Sequence, residues 1–235
     1  MADQWETVRV DGRSMGAFTA TPEGPGPFPA VVVIQHGASV DAFVEEMTRR
    51  VAAAGYLGIA PDLFHRQDPG PDTPSLQRIR GLRDTEVIQD VDATVSHLVG
   101  KSTVRGDRIG IIGFCMGGRV VYMMAAVSPA LRAAAAFYGG NTMVPWGDGP
   151  SPFQRLANVT CPLLGFFGED DANPSLEDMR KLDDELTLHG KQHEFHSYAG
   201  AGHGYMTFTN ASMHRQDAAR ASWEITLAFL KKHLG

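Results

Sequence analysis

Two cysteines are all that the 235 residues contain. Cys115 and Cys161 allow one bridge at most, and a chain long enough to bury a substantial core does not rely on such a staple, so free thiols in a reducing, cytoplasmic setting are expected. Positive charge is also scarce. The 21 Lys and Arg stand against 27 Asp and Glu, a net charge of −6, which leaves no field to hold a phosphate backbone, and no nucleic-acid partner is expected. Long apolar runs are missing too: the longest, Val120–Val127, is far below the roughly 20 residues of a membrane helix, so no membrane association is expected. The opening Met1-Ala2-Asp3-Gln4-Trp5-Glu6 lacks the basic start and apolar stretch of an export signal. No G-x-G-x-x-G or Walker-type loop offers a seat to a nucleotide cofactor. His189, His193 and His196 are close in sequence, but His193 and His196 fall three apart on a predicted strand and face opposite sides, so neither a metal nor a cofactor is expected.

What is present is alternation. Apolar, β-branched segments recur at Ala30–Ile34, Leu57–Ala60, Ile109–Ile112, Ala133–Phe137, Leu163–Phe167 and Glu194–Tyr198, mostly as continuous runs of the kind that strands buried on both faces carry. Helical spacing lies between and after them, at Ala42–Ala54, Asp84–Val99, Gly118–Val127, Ser175–His189 and Gln216–His233. This order predicts an α/β fold, with right-handed crossovers, a mostly parallel central sheet flanked by helices on both faces, and no large cap domain. Residues 1–235 read as one domain. The loop-rich stretches Pro69–Pro74 and Pro145–Pro152 are expected to border a site, not to separate domains. Functional groups belong at the carboxyl ends of the strands.

One such end carries a motif. Gly113-Phe114-Cys115-Met116-Gly117-Gly118 follows an apolar strand and opens a helix, the setting of a nucleophile elbow, in which small flanking residues let strand and helix approach and push the nucleophile out over the sheet. At this chain's own composition, G-x-C-x-G occurs by chance roughly 0.02 times. Cys161, before Pro162 at the start of a strand, reads as a structural core thiol. A nucleophilic thiol needs a base, and the base an orienting acid. Later strand ends supply both, in Gly168-Glu169-Asp170-Asp171 and in Gly200-Ala201-Gly202-His203. The order nucleophile, acid, histidine is that of the α/β-hydrolase arrangement. Cys115, Asp170 and His203 are therefore the expected catalytic residues, with Asp171 as the alternative acid. A helix N-terminus and a nearby imidazole both favour the thiolate at Cys115. Phe64, Tyr138, Trp146 and Tyr205 are candidates for an apolar pocket.

Together these residues resemble the dienelactone hydrolases (carboxymethylenebutenolidases), a cysteine branch of the α/β-hydrolase fold. The resemblance spans most of the chain, through Phe28–Gln35, Ala54-Gly55-Tyr56, Ala60–Phe64, the elbow, Phe137-Tyr138-Gly139 and Ala201-Gly202-His203. It implies a Cys115, Asp170, His203 triad, an oxyanion hole from the backbone N–H groups of Met116 and Gly37, and a small-molecule ester or lactone substrate cleaved through a thioester. A monomer or homodimer is the implied assembly. Two positions depart from the family's pattern. His36 stands where the family's dienelactone enzymes carry a glutamate, and is expected to brace its loop or, alternatively, to help activate Cys115 or hydrogen-bond a leaving group. Thr207 stands where one of the family's two substrate-gripping arginines belongs, with Arg78 or Arg80 available as the other. A broad esterase or thioesterase is the competing enzyme reading. A non-catalytic binding module or thiol sensor is the competing reading from another class.

Overall fold

The structure is a computed structural model describing residues 1–67 and 73–235. Two strands precede the apolar runs: β1 (Ala2–Val10) and β2 (Arg13–Thr21) form an antiparallel hairpin that the pattern of continuous runs did not predict. Its turn is Asp11-Gly12, both residues with positive φ, which suits the twist of a two-residue hairpin loop. Only Val8 and Val10 of β1 are buried, so the strand lacks the apolar run by which β3 to β7 declare themselves.

The predicted runs become β3 (Phe28–Ile34), β4 (Leu57–Pro61), β5 (Val104–Phe114), β6 (Leu131–Phe137), β7 (Leu163–Gly168) and β8 (His193–Tyr198). They join the hairpin in one eight-stranded sheet of order β1-β2-β4-β3-β5-β6-β7-β8, parallel from β4 to β8 and antiparallel where β2 meets β1 and β4. Helices α1 (Ala42–Ala53), α2 (Ser75–Arg80), α3 (Asp84–Val99), α4 (Met116–Val127), α5 (Leu176–Leu188) and α6 (Gln216–Leu234) complete the chain, with a 3₁₀ segment at Phe153–Asn158. Of the predicted loop Pro69–Pro74, positions 69–72 lie outside the described residues, and Thr73-Pro74 lead into α2. The loop at Pro145–Pro152 is observed as expected.

Two layers of apolar side chains hold the sheet between helices. Phe43, Met47 and Val51 of α1 and Leu230 of α6 pack with Val31, Val33 and Ile112 on one face; Val87 and Val91 of α3, Val120 and Met124 of α4 and Leu182 of α5 pack with Val32, Ile34 and Ile111 on the other. This is the doubly covered sheet that the alternation predicted. Among the described residues no helix is long and apolar enough to cross a membrane.

The topology also locates the site. From β3 the chain moves to β4 on one side and then to β5 on the other, so the strand order reverses between β3 and β5. A crevice opens at the carboxyl ends of such strands, because their following loops diverge to opposite faces. Cys115 directly follows β5, at that point.

Candidate active site

Close packing makes the elbow. A Cβ added at Gly113 would sit 2.3 Å from the carbonyl oxygen of Gly117, and one at Gly117 would sit 2.5 Å from that of Ile34 and 2.6 Å from that of Gln35. Any larger residue would drive helix and strand apart, and the second contact also shows that the end of β3 lies against the start of α4. Cys115 takes φ 56° and ψ −118°, a region that non-glycine residues seldom occupy. It precedes the first turn of α4, whose leading N–H groups, Met116 among them, have no carbonyl inside the helix to bond. The strained backbone and that helix terminus together present the thiol over the sheet.

His203 reaches this point from the loop after β8. Its Nδ1–H donates to Asp171 Oδ2 at 2.8 Å, while the other carboxylate oxygen of Asp171 accepts the N–H of Asn173 at 2.9 Å. The expected acid, Asp170, is displaced by one position: its side chain is exposed and its backbone N–H donates to Ala201 O at 2.9 Å, whereas Asp171 is buried and aimed at the histidine. The turn fixed by Asp171 and Asn173 decides between the neighbouring carboxylates. Burial pulls the His203 imidazole toward neutrality, but hydrogen bonding to Asp171 and Cys115 and the charges of both outweigh it and push its pKa up to about 10. Tyr138 packs its ring against His203 edge to face, with centroids 5.3 Å apart. Burial, with the charges of Tyr205 and Cys115 nearby, keeps its hydroxyl protonated.

Cys115, Met116, Asp171 and His203 line one cavity of about 320 Å³, closed by Leu76 and Ile79 of α2, by Trp146 and by Arg119. Of the candidate pocket residues Trp146 is there and several are not. Tyr138, Tyr205 and Thr207 are buried beneath the site, Tyr205 packed between Tyr138 and Tyr198. Phe64 is buried under the Arg78 guanidinium, which lies 4.8 Å from its ring, and Arg80 is exposed; neither arginine is among the cavity's described walls. Gly37 is buried against Ile79, in the loop that β3 brings to the elbow.

His36 points away from the thiol's cavity to the start of α1. Its Nε2 lies 2.9 Å from Asp41 Oδ1, and Asp41 caps that helix by accepting from the N–H groups of Phe43 and Val44. Burial pushes the Asp41 carboxyl up in pKa, and His36 and the two N–H groups more than reverse this. His36 therefore has the geometry of a brace. The variant His36→Ala is expected to lower thermal stability by about 1 kcal/mol, the scale of a perturbed cap, and to leave kcat/KM within about threefold. A loss of a hundredfold at unchanged stability would give it a catalytic part instead.

Arg119 is the residue that sequence reasoning missed. Its side chain is wholly buried in the wall of the cavity, paired with Asp84 through Nη1 at 2.6 Å and Nη2 at 3.1 Å. Nε and Nη2 also donate to the carbonyls of Asn141 and Val144, at 3.2 Å and 2.7 Å, and the guanidinium lies 3.9 Å from the Trp146 ring. Asp84 in turn exchanges backbone and side-chain hydrogen bonds with Trp146. The pair thus ties the loop bearing Asn141 and Trp146 to α3 and α4. A signal existed: one arginine, at the fourth position of a helix otherwise apolar up to Val127, must be buried and so must be paired. Removing one partner, as in Arg119→Met, is expected to cost about 3–5 kcal/mol, read as a fall in Tm on the order of 10 °C.

The other candidates separate. Cys161 is buried, and burial raises its thiol to about 11, as suits a core residue. His193 pairs with Asp183, and His196 with Glu194 while stacking on Phe166.

Residues 15–234 match the model of the Dienelactone hydrolase family. A Synechocystis sp. protein named as a carboxymethylenebutenolidase is 32% identical over 93% of this chain and 92% of its own length. A Bradyrhizobium sp. protein named as a 2-oxo-3-(5-oxofuran-2-ylidene)propanoate lactonase is 32% identical over 100% of this chain and 96% of its own. A crystal structure from Klebsiella pneumoniae subsp. pneumoniae, described as a dienelactone hydrolase, superposes with a TM-score of 0.92 at 28% identity, covering 99% of both chains.

Proposed function

Because the chain belongs to the dienelactone hydrolase family and is a hydrolase of that kind, acting on ester or lactone bonds, we propose that Cys115, His203 and Asp171 carry out the cleavage through a thioester. The observation that supports this reading is the convergence of a thiol on a strained elbow and a carboxylate-bound imidazole on one cavity. His203, protonated through neutral pH, is the proton partner of the Cys115 sulfur. The sulfur attacks the carbonyl carbon, and the electron pair moves to the oxygen, which the N–H groups of Met116 and Gly37 receive. Collapse of this intermediate expels the alcohol oxygen, which takes the proton from His203. The neutral imidazole then removes a proton from water, and the resulting hydroxide attacks the thioester. Thiolate leaves, the imidazolium is restored and a carboxylic acid departs. From a lactone, alcohol and acid leave as one molecule. Asp171 moves no proton; it holds the ring in place and stabilises its charge. The names of the Synechocystis and Bradyrhizobium relatives favour small-molecule lactones among the substrates.

The test is intact-protein mass after rapid quenching with an activated ester. An adduct equal to the acyl group, located by peptide mapping on Cys115 and discharged by hydroxylamine, is the expected result. Turnover with no adduct on Cys115 under any quench, and undiminished in Cys115→Ala, would overturn it.

A further inference from the structure

Charge in the cavity wall is closed upon itself. Arg119 stands in the cavity wall, yet its side chain has no exposed surface, and both Asp84 oxygens and the carbonyls of Asn141 and Val144 accept four hydrogen bonds from its guanidinium. The His203 imidazolium faces Asp171. Met116, Trp146, Ile79 and Leu76 add apolar surface to the same wall. Leu76 is 69% exposed and Val144, on the loop that Arg119 holds, is 56% exposed; few large apolar side chains of this protein lie so open. A carboxylate brought into such a cavity would lose water and find no unpaired cation among the described walls, whereas an alkyl or aryl arm would be buried by these surfaces.

Resting on the hydrolase reading above, we propose that the site selects uncharged esters and lactones with an apolar arm directed toward Leu76. The position that would convert the preference is Leu76, where a cation could be added at the mouth on an exposed helix face.

The experiment uses two para-nitrophenyl esters of equal length, the pentanoate and the mono-glutarate, the second ending in a carboxylate where the first ends in a methyl group. The wild-type protein is expected to favour the neutral ester in kcat/KM by roughly tenfold or more. Leu76→Arg is expected to narrow that ratio by about three- to tenfold, with the gain on the glutarate falling as salt is added. Cys115→Ala supplies the blank. Cys115-dependent hydrolysis in which the glutarate equals or exceeds the pentanoate overturns the substrate preference alone, and so does a ratio that Leu76→Arg leaves unmoved. If neither ester is turned over above the blank, the hydrolase reading itself fails and the preference with it.

Discussion

Replacing Cys115 with alanine is expected to lower kcat/KM for any ester substrate by about 10⁴-fold or more, close to 5.4 kcal/mol of transition-state stabilisation. The magnitude follows from what the position supplies. Without sulfur there is no covalent intermediate, and water must attack the ester itself, aided only by a site whose geometry serves a different nucleophile. The loss should not come from unfolding. The backbone at Cys115 is strained whichever small side chain it carries, and the glycine contacts that define the elbow remain, so Tm should stay within a few degrees of wild type. Retention of the fold separates this outcome from that of Arg119→Met, where stability and activity fall together. It also separates the enzyme from a module that only binds or a thiol that only senses oxidation, since in either case the variant would leave a measured turnover unchanged.

How far such a site can be read from sequence depends on whether its signal is periodic. Strands buried on both faces appear as unbroken apolar runs, and β3 to β7 were legible for that reason, to within a few residues at each end except at the start of β5, whose first residues are partly exposed; β8, with no fully buried residue, carries no such run. β1 shows mainly its polar side and was not legible, although Asp11-Gly12 is a hairpin turn signal in its own right. The elbow could be located because its chemistry and its sterics demand glycine at fixed offsets from Cys115. The candidate acid could be narrowed only to a pair. Asp170 and Asp171 are equally suited by residue type and nearly so by position, and their difference lies in which way a single turn points them, with Asn173 completing the hydrogen bond that holds Asp171. Arg119 is the reverse case: a long-range pairing with Asp84, 35 residues away, turns a charged residue into part of a core, and nothing local in either segment names the partner. The aromatics were misplaced for a related reason. Tyr138 and Tyr205 stand near strand ends as a pocket residue would, but they support the histidine from beneath.

The choice between the two carboxylates leads to the second large effect, Asp171→Asn, expected to lower kcat/KM by about 10²–10⁴-fold while Asp170→Asn stays near wild type. The amide occupies the same space but carries no charge, and its NH₂ can donate toward His203 where an acceptor is required, so the ring loses both its orientation and its countercharge. The pH dependence gives this loss a signature that a merely structural defect would lack. In the native protein, burial lowers the pKa of His203 and the interactions with Asp171 and Cys115 raise it, with a net rise from 6.5 to about 10. A raised pKa means that the imidazolium persists through neutral pH and is lost only as pH climbs through about 10, so the alkaline limb of kcat/KM set by this proton donor should lie near that value. Asp171→Asn removes one of the raising interactions and leaves burial in place, so the limb must move to lower pH. Cys115→Ala removes another, and although that variant has no rate to follow, NMR titration of the His203 ring should show its midpoint shifted down in both variants and unmoved in Asp170→Asn. If Asp170→Asn instead shifts the midpoint and abolishes activity while Asp171→Asn does neither, the acid is the one that sequence spacing first favoured, and the turn at Asn173 is not what orients the histidine in the working enzyme.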